Sequence, residues 1–520
     1  MGLMSSVSDW LKNKVVGWLE GEFSSAYSAR AKSLLERREY RYGVQQRFLK
    51  PTREGFDDNI VANFLGLALD RAISLLFGKE VEFEWGEDVS EEAIAFIYDI
   101  WEANNQPILL HKLAMYGGEA GTVFVKLIPD AEKQWRIVAQ DPIFKDVLTD
   151  PDDDEKIIRY TTQYKTTDLD GNEVAKREWI TIGNYVTTET TDMQGNATLG
   201  IQQGDPDVIP PNWLIQNFIL SRDTGGKWKL ESQEIWPYAL PPIIHWQNLP
   251  MVGSTWGMPD IPDDVIEMQD KSNFALSNNN RILRLFAHPF RWSRFFGGSR
   301  NTGRNEGETD LDVGPNKMPN ASNEKAEIFQ LPPVGDLPGA TGHAQNLRQI
   351  IFDITRNSDI ASMKDKVGAL TNFGLRILFF DALNKLDTKR NLYGWGLREI
   401  NRRLFIFSGA EPVECKVIWE DPLPVDETAL RQNAQTDLSM GIVSRETISK
   451  RLGYNWDDEK KLLAAQQTES DNVGAMLLRA FDRTGGNEES FGQMPSERTR
   501  MPMGGSANNG PGNQRRNMAR

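Results

Sequence analysis

The side chains with chemical potential in this chain are scattered rather than gathered. Four histidines, His111, His245, His288 and His343, lie far apart in sequence, a spacing that suits single satisfied side chains better than a metal centre. The lone cysteine, Cys415, sits in the alternating stretch "VECKVIW" and reads as a buried strand residue. One thiol builds neither an intrachain disulfide nor a Cys-based metal cluster. "TDPDDDEK" (Thr149–Lys156) has the charge to attract Ca²⁺ but not the ligand spacing or closing Glu of an EF-hand loop. A solvated hairpin tip is the expectation there. Asp and Glu are plentiful, so a glycosidase-type carboxylate pair stays open, although no pair stands out. Phosphate-loop, dinucleotide, H-E-x-x-H and G-x-S-x-G motifs are all missing. No catalytic residue, metal or cofactor is expected. Two basic groups stand out instead. Lys364 and Lys366 fall in the polar stretch Ser358–Leu370, and Arg291, Arg294, Arg300 and Arg304 open a Gly- and Asn-rich region.

These groups must be carried by a large scaffold. The chain has 520 residues, enough for roughly two to four domain-sized units. Hydrophobic content is 39% and charged content 26%, ample for real cores in a soluble chain. The formal charge of −15 argues against a protein that wraps nucleic acid by bulk positive charge. No apolar run is long enough to span a membrane, and the N-terminus lacks a signal-peptide layout. It formally matches a myristoylation pattern through Gly2 and Ser6. Val7, Trp10, Leu11, Val15, Trp18 and Leu19 instead form an amphipathic stripe, which points to a helix docked on the body of the protein or on a neighbour.

Helical patterns fill 7–50, and Asp57 or Asp58 is placed to cap a helix through Ile60, Phe64, Leu67, Ile73 and Leu76. Val81, Phe83 and Trp85 alternate as a strand. From about 135 to 250 the chain is β-branched and broken by "DLDGN", "DMQGN" and "DTGGKW", the signature of an antiparallel region. Pro259–Phe290 returns to helix, with Asp263 and Asp264 in its first turn and an unusually polar face around Asn278, Asn279 and Asn280. Phe379, Leu383, Leu386, Arg390, Tyr393, Leu397, Ile400, Leu404 and Phe407 step by four and three. That stripe predicts one helix over Thr371–Phe407, about 55 Å long. Ser444 caps a later helix, and the tail from about 485 is too polar to pack.

In order, these pieces resemble a tailed-bacteriophage portal protein of the long-tailed phage type. The carriers are "REYRYG" with "DNIVANFLGLALDRAISLLFG", "HKLAMYGGEAGTVFVKLIPD", "PPIIHWQNLP" with "GSTWGMPDIPDDVIEMQDKSN", "IFQLPPVGDL" and "WEDPLPVDETALRQNAQTDLSMGIVSRETISKRLGY". The resemblance implies an α+β portal fold with a mixed wing domain, a two-helix stem, a loop-rich clip, a long radial helix and a helical crown. It places the N-terminal wing at 1–258, stem helix one at 259–288, the clip at 289–338 and stem helix two at 339–357. The tunnel loop follows at 358–370, the long helix and wing strand at 371–424, the helical crown at 425–484 and a disordered tail at 485–520.

Such a chain is expected to form a homo-oligomeric ring, usually of twelve subunits, at one capsid vertex of a virion assembled in the host cytoplasm. Double-stranded DNA passes through it without sequence readout. Expected partners are the terminase large subunit, head-completion and connector proteins, and the major capsid and scaffold proteins, with no membrane contact. Lys364, Lys366, Arg348 and Arg356 become the candidate channel residues, and Arg291, Arg294, Arg300 and Arg304 the candidate clip contacts. Each has a plainer reading as a solvated charge or a salt-bridge partner. A carbohydrate-active hydrolase using an Asp/Glu pair and tryptophan platforms, or another minor virion component, are the alternatives.

Overall fold

The computed structural model describes residues 25–466 except 52–54, 87–88, 132–133, 169–170, 192–196, 221–226, 288–290, 295–326, 331–336, 359–371, 424–426 and 457. The N-terminal stripe, most of the expected clip, the expected tunnel loop and the expected disordered tail lie outside those residues. The chain divides into two units, Met1–Pro424 and Val425–Arg520.

The first unit opens with α1 (Ser25–Arg41) and, after an extended segment, α2 (Phe64–Phe77). Neither Asp57 nor Asp58 caps α2. Asn63 does, its side chain accepting from the Gly66 amide at 3.0 Å. Asp58 is committed elsewhere, to Arg281 and Arg284. Leu65, Leu69, Ile73 and Leu76 step along one face of α2 and are buried, the spacing that turns a helix stripe toward a core. β1 (Val81–Trp85), α3 (Glu91–Ala103) and α4 (Gln106–Ala120) follow.

Three antiparallel arrangements then build the β-region. β2 (Thr122–Asp130) is central in a three-stranded sheet, between β3 (Gln134–Gln140) and β11 (Ile243–Gln247). β4 (Lys145–Asp150), β5 (Asp153–Thr167), β6 (Glu173–Gly183), β9 (Asn212–Leu220) and β10 (Lys229–Trp236) form a five-stranded sheet in the order β10-β9-β6-β5-β4. β7 (Tyr185–Thr191) and β8 (Ala197–Gln203) pair as a hairpin. The acidic stretch from Thr149 is the β4–β5 hairpin tip, where Asp150 opposes Asp153 and takes Lys156 at 2.8 Å.

One rung of the five-stranded sheet is polar across its full width. The register sets Lys145 opposite Thr162, Thr162 opposite Glu178, Glu178 opposite Asn217 and Asn217 opposite Ser232. Lys126 of β2 reaches across from the other sheet to Glu178, and the Lys145 ammonium donates to the Thr162 hydroxyl. Satisfied polar rows of this kind fix the register between layers, because each member must find its one partner.

The predicted long helix is present but broken near its start. α7 (Asn372–Leu378) and α8 (Phe380–Phe407) are separated by a turn at Phe379. There Ser358 Oγ donates to the Leu378 carbonyl at 2.9 Å, and a side chain inserted at a helix ladder is a recognised cause of a kink. α8 alone is about 42 Å long. Its Leu386, Tyr393, Leu397, Ile400, Leu404 and Phe407 are buried as the stripe predicted. They pack on β11 and on β14 (Cys415–Trp419), which pairs antiparallel with β1 and so closes the unit from its two ends. Gly396 is required here: a Cβ on it would lie 2.7 Å from the Trp246 ring. In the second unit, α9 (Glu427–Ser439) precedes α10 (Arg445–Arg451), whose cap Ser444 accepts from the Thr447 amide at 3.2 Å.

The buried amine of Lys145 yields a pH prediction. Burial pushes it down to about 7, against the pull of Glu178 and with a further push from Lys126. The folded chain therefore binds fewer protons than the unfolded one between pH 7 and the ordinary lysine value of 10.5. Stability rises with pH across that window, and the cost of the buried amine is fully present below it. Lys145→Met should gain about 2 kcal/mol over the parent near pH 6 and lose most of that advantage near pH 10, read from urea midpoints.

Candidate functional site

The site is the junction where two antiparallel helices meet the long helix. α5 (Asp263–Ala287) and α6 (Leu337–Ile354) pack side by side, with Asn279 Nδ2 donating to the Ala340 carbonyl at 3.1 Å. At the far end of the pair, β12 (Arg291–Arg294) and β13 (Glu327–Gln330) pair as two short antiparallel strands. At the near end lie Asp260, just before α5, and Thr355, just after α6.

The polar residues of α5 are used largely within the chain. Gln269, Ser272, Asn273 and Ser277 are fully buried. Gln269, Asn273 and Ser277 grip the extended segment ahead of α2 much as a neighbouring strand would. Ser277 Oγ accepts from the Ile60 amide at 2.9 Å, and Asn273 Oδ1 accepts from the Ala62 amide at 3.0 Å. Gln269 donates to the Ala62 carbonyl, and Asn280 donates to the Asp58 carbonyl at 3.1 Å. Arg281 and Arg284 close the row on the Asp58 carboxylate at 3.0 and 2.7 Å. This polarity is spent inside the chain because an extended backbone beside a helix has unpaired amides and carbonyls that must be met.

Beneath the helix pair sits a fully buried charge cluster. Asp260 takes the ammonium groups of Lys385 and Lys389, each at 2.7 Å. Its amide donates to the Gly118 carbonyl at 2.8 Å. Burial alone would push the Asp260 carboxyl up, but the two lysines outweigh it and hold it well below the usual carboxylate range. Burial lowers the Lys389 ammonium, with Asp260 opposing. Two cations share one carboxylate, leaving a surplus positive charge. Lys385 also donates to the Thr355 carbonyl at 3.0 Å, and this end of α6 carries the negative pole of its helix dipole. The cluster thus ties α4, the start of α5, the end of α6 and α8 to one another.

Residues 355–358 lead the chain out of this junction. After α6 the chain turns through Arg356 at φ +55°, and Asn357 donates its amide to the Phe352 carbonyl at 2.8 Å. Such a left-handed residue after a helix satisfies its last carbonyls. Arg71 donates to the Ser358 carbonyl at 2.9 Å, while the Ser358 hydroxyl holds Leu378. Ser358 is thus held from two sides, next to the 359–371 stretch. Lys364 and Lys366 lie within it, outside the described residues, as do Arg300 and Arg304 in the other basic group. Arg291 and Arg294 fall on β12. Arg356 stands exposed at the loop base. Arg348 sits within α6 with its guanidinium 5.3 Å from the Phe64 ring centre and 5.6 Å from that of Phe352.

Asp260, Lys385 and Lys389 were not singled out by sequence reasoning. A faint signal exists: two lysines one turn apart flank Leu386 on the apolar stripe, where a solvated face would not be. Nothing local pairs them with an aspartate so far away in the chain. Arg390, which interrupts that stripe in the sequence, lies 5.4 Å from the Trp419 ring centre. His245 stacks on Phe124 at 4.7 Å, and burial pushes its pKa to about 4. Among the described residues no three of His, Cys, Asp or Glu gather as a metal site.

The chain matches a family model along most of its length. Residues 22–473 match the phage portal proteins described as SPP1 Gp6-like. The chain belongs to that family of phage portal proteins. Among solved structures it is similar to a chain of the neck of an empty GTA particle computed with C6 symmetry. That likeness has 11% identity and a TM-score of 0.43, covering 76% of this chain and 90% of that one. It is also similar to a chain of the virion of a native gene transfer agent particle, at 10% identity and a TM-score of 0.38, covering 75% and 90%. No curated protein matches the chain.

The buried cluster makes a direct prediction. Asp260→Asn strands two lysines without a counter-charge and should cost about 3–5 kcal/mol, measured by urea unfolding. Replacing all three by Asp260→Leu, Lys385→Met and Lys389→Met should recover most of that loss, because an apolar cluster of similar volume needs no charge balance.

Proposed function

We infer that the chain is the repeating subunit of a ring at one capsid vertex, through which double-stranded DNA is packaged and ejected. The observation that carries this is the match of residues 22–473 to the phage portal family, joined to a helix pair, α5 and α6, that is locked to α8 at Asp260. Lys364 and Lys366 fall in the sequence between α6 and α7, next to Ser358, which Arg71 and Leu378 hold on the α6 side. The rest of the chain is acidic, with a formal charge of −15. An acidic wall repels phosphates, so DNA slides, while a few lysines make weak, salt-sensitive backbone contacts without reading bases. Arg356, exposed at the loop base, is suited to join them.

In this reading α5 and α6 are the stem, β12 and β13 belong to the clip, 359–371 is the tunnel loop and α8 spans the wing. The second unit is the crown. The ring is a dodecamer. The clip arginines meet the terminase large subunit and later the head-completion and connector proteins, while capsid and scaffold proteins surround the wing. The chain has no catalytic role and works in the virion. Burial of Trp101, Trp135, Trp213, Trp236 and Trp246 supports this over a sugar-binding enzyme, whose tryptophans would be open platforms.

Full-length protein purified with its scaffold should form closed rings near twelve times 58.9 kDa by light scattering, with a central hole in negative stain. A chain that stays monomeric in the presence of scaffold and capsid proteins would sink the reading. Lys364→Ala with Lys366→Ala should leave ring mass unchanged and lower packaged DNA several-fold, measured as nuclease-protected DNA per particle.

A further inference from the structure

α1 packs through a small cluster of its own. Tyr27, Ala31, Leu34 and Leu35 meet Ile143 apart from the main core, and the Tyr27 hydroxyl donates to the Ile143 carbonyl at 2.6 Å. That cluster is incomplete. Beside it opens a groove of about 680 Å³, with an apolar wall of Tyr27, Leu34, Ile143, Trp256 and Met258 and with Arg37, Lys145 and Asp263 also in its lining. Its far wall is rigid, because the Arg30 guanidinium lies 3.7 Å over the Trp256 ring and pairs with Asp146 at 2.8 Å. Its rim is apolar and uncovered: Met251 is 49% exposed, Met258 46% and Val252 fully exposed. A groove of this size, apolar on one side and charged on the other, suits an amphipathic occupant.

We propose that the occupant is the chain's own N-terminal segment, residues 7–19, lying as an amphipathic helix along the groove. Three observations converge on it. Its stripe of Val7, Trp10, Leu11, Val15, Trp18 and Leu19 supplies two tryptophans and four aliphatic side chains on one face. A helix of that length runs about 20 Å, comparable to the described part of α1 beside it. Only residues 20–24 separate Leu19 from Ser25, where α1 begins, and Tyr27 already lines the groove. So short a tether holds the segment at an effective concentration near the millimolar range, which favours the same chain over any other source. Charge does not draw the segment elsewhere. Lys12 and Lys14 nearly balance Asp9, Glu20 and Glu22, so neither nucleic acid nor an anionic surface competes strongly for it. Docking would complete the α1 cluster and cover the Met251–Met258 rim. It would do so whether or not the chain serves as a DNA conduit.

Disulfide trapping in the full-length chain tests it. Val15→Cys is combined with Met258→Cys, leaving both tryptophans in place; the native Cys415 is buried and takes no part. Under mild oxidant the pair should form an intrachain bond in most molecules, seen by non-reducing gel mobility and by peptide mass. A control pair, Val15→Cys with Val208→Cys on a distant exposed turn, should form at least ten-fold less. Disulfide-linked dimers would assign the groove to a second copy and overturn the proposal. No bond, or equal bonding in both pairs, would overturn it as well. Hydrogen exchange gives an independent readout. Leu11→Asp with Leu19→Asp should speed exchange across Tyr27–Leu35 at least ten-fold and leave β6 and β9 unchanged, whereas unaltered exchange in α1 would also refute docking.

Discussion

The salt bridge of Asp260 with Lys385 and Lys389 is the constraint on which the helix pair, the loop base and the long helix all depend. The three side chains are buried, and each lysine lies 2.7 Å from the carboxylate. Ion pairs in such places add little net stability, because desolvation offsets most of the attraction. Their value is positional. A carboxylate that must find two ammonium groups, and an ammonium that must also find the Thr355 carbonyl, tolerates one arrangement of α5, α6 and α8. An apolar contact at the same place would tolerate many.

The same logic recurs in two other interior places. Along α5, Gln269, Asn273 and Ser277 read the backbone of residues 60–62 atom by atom. Across the five-stranded sheet, the rung from Lys145 to Ser232 meets Lys126 from the second sheet. Each site replaces a slippery apolar contact with a register-setting polar one, at the cost of burying groups that must all be satisfied. The apolar cores, centred on α2, α4 and α8, provide the bulk of the burial. The polar sites decide how the layers are aligned.

How legible this was in the sequence follows from range. Features governed by neighbours a few residues away were read correctly. Val81, Phe83 and Trp85 form a strand, the acidic tip is a hairpin, Ser444 caps its helix, and the α8 stripe faces the core. Features governed by distant partners were not. Asp58 looked like a cap because it precedes an apolar run, yet two arginines more than two hundred residues away claim it, and Asn63 caps instead. No local pattern announces the extended segment that Gln269, Asn273 and Ser277 of α5 hold. The kink at Phe379 depends on Ser358, which belongs to another element. Of the candidate channel residues, Arg348 and Arg356 are placed, one against aromatic rings and the other exposed at the loop base. The anchoring residues were invisible for the same reason: an aspartate and two lysines are ordinary until the fold brings them together.

The connectivity also constrains how this junction can move. Lys385 sits on α8 but holds Thr355, just past the end of α6, and Ser358 holds the end of α7. A shift of α6 along its axis must therefore either break these contacts or carry α7 and α8 with it. Breaking them strands buried charge, which costs several kcal/mol, whereas concerted movement leaves every partner satisfied. α8 in turn packs on β11 and β14, so motion at the loop base is transmitted to the sheets rather than absorbed locally. A packed interior with discrete polar registers moves between defined arrangements instead of deforming continuously. The buried three-residue lock thus makes α6, α7 and α8 one mechanical unit, in which a change at either helix end is felt by the others.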